Sequence, residues 1–265
     1  LVTLKNRVKS NYKQNKVNYG VHVKVPAPAL VDVAANVGSD FVKFDQYHTP
    51  FGVEALYGMI ATARAGGMTP WIRCRNDAYE IMTMLDLGIE AISIPNCRSV
   101  DDAQAAVAAT RYRPAGVRES NRPVSRRGMT DADYFEWAAN ELLVCVSIED
   151  KDGLENYKDI VKVEGVDVIA TGRGDISLAL GVPNDRDNQD KVIEAQKRVL
   201  FAALEAGKEV SMTYPCTPRG MDEAAWWIEQ GVRIITLETE HRILARTYGS
   251  AFDQLKAGSR QQTGT

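Results

Sequence analysis

The sequence predicts a single-domain (β/α)8 TIM barrel, and three observations predict it. Eight short apolar, β-branched runs alternate along the chain with segments of helical periodicity. The 265 residues match the roughly 250 that eight such units need. The first run leads into Pro26-Ala27-Pro28, not into the glycine-rich phosphate loop that follows the first strand of a doubly wound open sheet.

The eight runs are Tyr19 to Val25, Phe41 to Asp45, Thr69 to Cys74, Ala91 to Pro95, Leu143 to Glu149, Asp167 to Thr171, Glu209 to Thr213 and Arg233 to Leu237. Most are near-continuously hydrophobic, as strands of a parallel sheet buried on both faces are. Between them, Val192, Ala195, Val199, Ala202 and Ala206 step by three and four, and Gly207 stops that helix. Met221 to Gln230 with Gly231, Ala29 to Val37 with Gly38, and Ile81 to Leu87 with Gly88 repeat the pattern. Ser99 followed by Asp101 and Asp102 marks a helix start, with carboxylates at the positive end of the dipole. Arg113 to Asn140 reads as a long loop plus one helix, Asp131 to Asn140, over the mouth of the barrel. The barrel domain is expected to span residues 1–256, with 257–265 a frayed tail.

Composition narrows the function. Hydrophobic residues make up 45% of the chain, enough for a large core. The net charge of −3 argues against a nucleic-acid partner. No run approaches the ~20 apolar residues of a membrane span, and Leu1 to Lys5 lacks the apolar run of a signal peptide. Cys74, Cys97, Cys145 and Cys216 are too sparse for a disulfide scaffold and form no C-x-x-C pair; they read as reduced thiols of a cytoplasmic protein.

A barrel of this kind works at the C-terminal ends of its strands. There the second run delivers Asp45 with His48 just beyond, the third Arg73, the fifth Glu149 and Asp150, and the sixth Thr171-Gly172-Arg173-Gly174-Asp175. Glu149 and Asp175 together suit a hard cation, since Mg²⁺ and Mn²⁺ take oxygen ligands and keep open positions for substrate; singly, Glu149 also reads as an ion-pair partner and Asp175 as a helix cap. Gly172 and Gly174 let backbone approach a ligand. Arg73, costly to bury without an anion, reads as a carboxylate grip or a structural ion pair. Asp45 close to His48 can fix the ring's tautomer for general-base work; the alternative is a surface histidine. His22 and His241 read as structural, and Arg75 as solvated.

The motif order resembles the class II pyruvate-dependent aldolases of the HpcH/HpaI family from about Gly20 to about Leu244. It is carried by Phe41-Val42-Lys43-Phe44-Asp45-Gln46-Tyr47-His48, Pro70-Trp71-Ile72-Arg73, Leu85 to Pro95, Tyr112 to Arg118, Ser147-Ile148-Glu149, Gly165-Val166-Asp167, Gly172-Arg173-Gly174-Asp175-Ile176-Ser177 and Gly181-Val182-Pro183. The resemblance implies a divalent metal (Mg²⁺, Mn²⁺ or Co²⁺) on Glu149 and Asp175, an Asp45–His48 pair, and Arg73 as pyruvate grip. It also implies pyruvate binding by Gly172 and Gly174, with Ser147 at the site, and assembly into trimers or hexamers. The reaction implied is cleavage of a 4-hydroxy-2-oxo acid to pyruvate and an aldehyde through a metal-stabilised enolate.

Three positions depart from the family pattern: Tyr47 stands for a Glu, Ser147 for a Gln, and Arg118-Glu119-Ser120-Asn121 for Gly-x-Arg-Gly. They lie around the aldehyde side. Arg73-Cys74-Arg75-Asn76 resembles the strand end of CoA-ester lyases of the citrate-lyase β-subunit kind, which tend to carry a lysine where Asn96 stands. A metabolite-binding barrel without turnover is a further alternative, as is another enolate-forming reaction such as decarboxylation of oxaloacetate.

Overall fold

Eight parallel strands close on themselves in chain order: Asn18–Val23 (β1), Phe41–Asp45 (β2), Thr69–Arg73 (β3), Ala91–Ile94 (β4), Leu143–Ser147 (β5), Val168–Ala170 (β6), Glu209–Tyr214 (β7) and Ile234–Leu237 (β8). β8 pairs back onto β1, so the sheet has no edge. Each strand coincides with one predicted run to within two residues at either end. The computed structural model describes residues 5–121, 128–183 and 187–262.

Helices Pro28–Asn36 (α2), Val53–Ala65 (α3), Ala78–Asp86 (α4), Val100–Thr110 (α5), Asp131–Glu141 (α6), Lys151–Ile160 (α7), Arg173–Ala179 (α8), Gln189–Glu205 (α9) and Pro218–Glu229 (α10) lie between the strands. Arg7–Lys13 (α1) precedes them and Glu240–Gln262 (α11) ends the described chain. The predicted punctuation is in place. Ser99 accepts a hydrogen bond from the Asp102 N–H at 3.1 Å. Gly38, Gly88, Gly207 and Gly231 sit at positive φ just past their helices, where an L side chain is strained.

Strand alternation divides the interior in two. Val42, Phe44, Ile72, Ile92, Val144, Val146 and Ile169 face outward and pack under the helices. Phe41, Trp71, Ala91, Leu143, Val168 and Ile234 face inward and fill the lower barrel. α1 closes that lower end: Val8 joins the inner cluster, and Lys9 pairs with Asp167 just before β6 at 2.8 Å.

Two expectations change. α6 does not lie over the mouth. Its C-terminal end meets α1 at the closed end, where Asn6 N–H donates to Glu141 and Lys9 Nζ to the Asn140 carbonyl. Tyr134 on its flank stacks with the buried Arg118, which pairs with Asp86. Burial of these side chains holds the helix against the barrel's side. Residues 122–127 of the long predicted loop lie outside the described residues. α11 continues past Lys256, where the sequence reading ends the domain, and the last residues of the expected frayed tail, 263–265, lie outside the described residues. Of the two adjacent tryptophans on α10, Trp227 is core and Trp226 is partly exposed.

Candidate active site

A cavity of about 640 Å³ opens at the C-terminal ends of the strands. Arg73, Ser147, Glu149, Gly172, Gly174 and Asp175 all line it. β3, β5 and the β6–α8 turn therefore deliver what the sequence predicts, and at the predicted end.

Glu149 follows β5 by two residues and is 5% exposed. Burial and the neighbouring Asp175 carboxylate push its pKa up to about 7, against the pull of Arg73 and of an N–H bond from Asn96. Asn96 can aim that N–H because it holds a left-handed φ of 50°. Asp175 lies in the first turn of α8 but does not cap it; the N-cap is Gly172, with no side-chain bond. A Cβ at Gly172 would stand 2.7 Å from Glu149 Oε2 and 3.3 Å from Asp175 Oδ2. Glycine there lets the two carboxylates converge. A Cβ at Gly174 would meet nothing within 4 Å, so that position opens on free space. Among the described residues no group of three or more His, Cys, Asp or Glu converges. Two carboxylates, one buried and repelled by its neighbour, fit a divalent cation that completes its shell with water and substrate oxygens.

Asp45 and Arg73 are register partners at the tips of β2 and β3. Arg73 donates from Nε (2.9 Å) and Nη2 (2.5 Å) to the two Asp45 oxygens, and Lys24 Nζ lies 3.0 Å away. Burial alone would raise the Asp45 pKa; Arg73 and Lys24 outweigh it and hold the carboxyl well below the usual carboxylate range. Arg73 thus lines the cavity with a guanidinium already paired, as the ion-pair alternative has it.

His48 is exposed beside that pair. Its main-chain N–H, not its ring, donates to Asp45 Oδ1 at 3.2 Å, and its ring packs edge-on to Tyr47 with centroids 4.9 Å apart. Asp45 therefore positions the His48 turn and leaves the imidazole free of it. Partial burial and Arg73 lower the His48 pKa, which favours the neutral ring a base needs. Arg75 faces solvent and pairs with Glu80.

Several cavity residues are not among those the sequence predicts. His22, set aside as structural, lines the wall, as do Lys24, Lys43 and Glu238; His241 is at the rim. Alternation on β2 held the signal for Lys43: if Asp45 faces inward, so does the residue two before it.

The sequence profile of the family described as HpcH/HpaI aldolase/citrate lyase matches residues 18–235. The chain belongs to that family. A hydroxypyruvate/pyruvate aldolase from Delftia acidovorans is 29% identical over 90% of this chain and 88% of its own. A 4-hydroxy-2-oxo-heptane-1,7-dioate aldolase from Shigella sonnei is 26% identical over 96% of this chain and 99% of its own. The solved structure of the citrate synthase SbnG superposes with a TM-score of 0.85 at 27% identity, covering 97% of this chain and 100% of that one. Fold and family are as the sequence predicts, and class II aldolases are generally dependent on a divalent metal. The CoA-ester lyase alternative has less support, because these curated relatives are aldolases.

Proposed function

We propose that this chain is a divalent-metal-dependent aldolase that cleaves a 4-hydroxy-2-oxo acid to pyruvate and an aldehyde. The observation that carries the reading is the convergence of Glu149 and Asp175 over Gly172, on the wall of a cavity shared with Arg73. Glu149 and Asp175 would hold the divalent cation (Mg²⁺, Mn²⁺ or Co²⁺), which would supply Lewis acidity to the reaction. Ser147 and the backbone at Gly172 and Gly174 seat the carboxylate end of the substrate. The 4-hydroxyl proton passes to the unprotonated ring nitrogen of His48, directly or through a water, as the C3–C4 bond breaks. The electron pair of that bond stays on the pyruvate half, the aldehyde carbonyl forms on the other, and the proton held by His48, or one from water, returns to C3 to complete pyruvate. Arg73, held rigid by Asp45, sets positive charge beside the developing anion.

Leu244, Tyr248 and Phe252 form an exposed apolar row on α11, which supports assembly into a trimer or hexamer. The free cysteines support a reducing, cytoplasmic setting. Among the described residues no helix is long and apolar enough to cross a membrane.

The test is pyruvate release from a panel of 4-hydroxy-2-oxo acids, with EDTA and with Mn²⁺ or Mg²⁺ restored. Metal-dependent release that Glu149→Ala abolishes is expected. Binding of oxo acids with no release under any metal would replace the aldolase with a metabolite-binding barrel.

A further inference from the structure

Lys43 is a buried lysine that the proposed cleavage does not use. It lies on β2, two residues before Asp45, is 7% exposed and lines the cavity. Among the described residues its Nζ makes no ion pair and no hydrogen bond; it lies 4.8 Å from the centre of the Trp71 ring. The nearby anions are taken. Arg73 and Lys24 share the carboxylate of Asp45, and Glu149 converges with Asp175 over Gly172. Burial, with the Arg73 charge adding to it, holds the Lys43 pKa below the ordinary lysine value. A desolvated lysine beside other cations gives up its proton and presents a free electron pair, the state in which lysine attacks a carbonyl carbon.

The groups beside it supply the rest of that chemistry. His22 is the register partner of Lys43 on β1 and also lines the cavity. Its buried Nε2 has no hydrogen-bond partner and stands 3.8 Å from Asp45 Oδ2, too far for a hydrogen bond. Burial above all, and the cations around it, keep this ring neutral, so its open nitrogen can take up a proton. Ser211 on β7 lines the cavity as well, and its buried hydroxyl has no partner. Buried polar atoms are ordinarily paired, so two of them in one cavity with an unpaired amine mark a place for a polar guest.

We propose that Lys43 forms an imine with the carbonyl of a 2-oxo acid, which gives the cavity a second, metal-independent way to enolise that acid. This activity goes beyond the metal-dependent cleavage and takes from it only the ligand class. Nζ bonds to C2, and the C2 oxygen departs as water with the two amine protons, while the Ser211 hydroxyl donates a hydrogen bond to it. An imine remains, and a solvent proton on its nitrogen makes it an electron sink. His22 Nε2 then takes a proton from C3, and the C3–H electron pair moves into the enamine. Return of a proton to C3 and addition of water to C2 release the 2-oxo acid and restore the amine.

Pyruvate is the probe. The wild type, metal-loaded and in EDTA, is incubated with pyruvate and cyanoborohydride, which reduces an imine to a stable amine. Peptide mass spectrometry then locates the adduct, and one at Lys43 is expected in both states. In EDTA and D₂O the protein should also exchange the C3 protons of pyruvate for deuterium, read by NMR. Lys43→Met and Lys43→Arg should abolish the adduct and the exchange. His22→Gln should keep the adduct and slow the exchange about 10²–10⁴-fold. No adduct at Lys43 in EDTA, as an ammonium merely stacked on Trp71 would give, overturns the proposal. So does labelling of Lys43 no greater than that of the exposed Lys162, or exchange that survives in Lys43→Arg. The wild-type adduct map needs no variant, so it decides even where Lys43→Met does not fold. Metal-dependent pyruvate release without the adduct sinks the imine alone; the adduct without such release sinks the aldolase reading alone.

Discussion

Removing the charge at Glu149 should stabilise the metal-free protein. Glu149 has a folded-state pKa of about 7 against an ordinary 4.5. A carboxyl whose pKa is raised by folding contributes stability in its protonated form. That contribution is fully present below the ordinary value and is lost as the pH rises through 7. The shift of 2.5 units corresponds to about 3 kcal/mol at about pH 8. Because Glu149 is 5% exposed, little of this is screened by water. For a chain of this size it amounts to roughly 6–12 °C in melting temperature. Glu149→Gln keeps the shape and removes the titration. In EDTA at about pH 8 the variant should therefore melt higher than the wild type, and the two should converge near pH 4 to 5. With Mn²⁺ restored at about pH 8 the order should reverse, since the wild type gains metal binding energy and the variant does not. Scanning calorimetry across that pH range, with and without metal, reads both effects. A Glu149→Gln protein less stable than wild type in EDTA at about pH 8 would refute the argument that desolvation and Asp175 load this carboxylate.

Three further outcomes are expected. Gly172→Ala puts a Cβ 2.7 Å from Glu149 Oε2, so metal affinity should fall about 10–100-fold in a competition titration; unchanged affinity would mean that the carboxylates need not converge there. Asp45→Asn strands Arg73 and Lys24 and should cost about 3 kcal/mol in urea unfolding at neutral pH. The Asp45 pKa is depressed, so its contribution holds above the ordinary aspartate range and is lost as the pH falls; a gap that widens in acid would contradict the assignment. His48→Ala should lower kcat about 10²–10⁴ while leaving metal affinity intact, and a near-normal rate would remove His48 as the base.

The barrel was legible because its strands are buried on both faces and its helices end on glycines at positive φ, features that local sequence records. Arg73 and Glu149 were legible because they sit at or just past a strand's C-terminal end, and Asp175 because it follows the glycine-rich turn after one. Partners across the barrel were harder to read. Asp45 and His48 are three apart in sequence, which suggests a ring contact, yet pairing of β2 with β3 places Asp45 opposite Arg73, and a guanidinium matches both of its oxygens. The place of α6 follows from Arg118 and Tyr134 burying against each other, a contact between segments that periodicity does not connect. Lys43 and His22 sit in apolar runs, and only choosing which alternate faces inward reveals them.

The inward side chains that fill the lower barrel, with α1 beneath them, leave the reaction chamber a blind alley. Traffic in a blind alley is last in, first out. In the proposed reaction the half nearer the opening is the aldehyde, and the half seated on the carboxylates lies behind it. Departure should follow that sequence, with the aldehyde leaving before pyruvate. Pyruvate should then inhibit cleavage competitively and the aldehyde noncompetitively. The packed floor of Phe41, Trp71, Leu143 and Ile234, capped from below by Val8 of Arg7–Lys13, thereby imposes an order on kinetics that the catalytic groups themselves do not require.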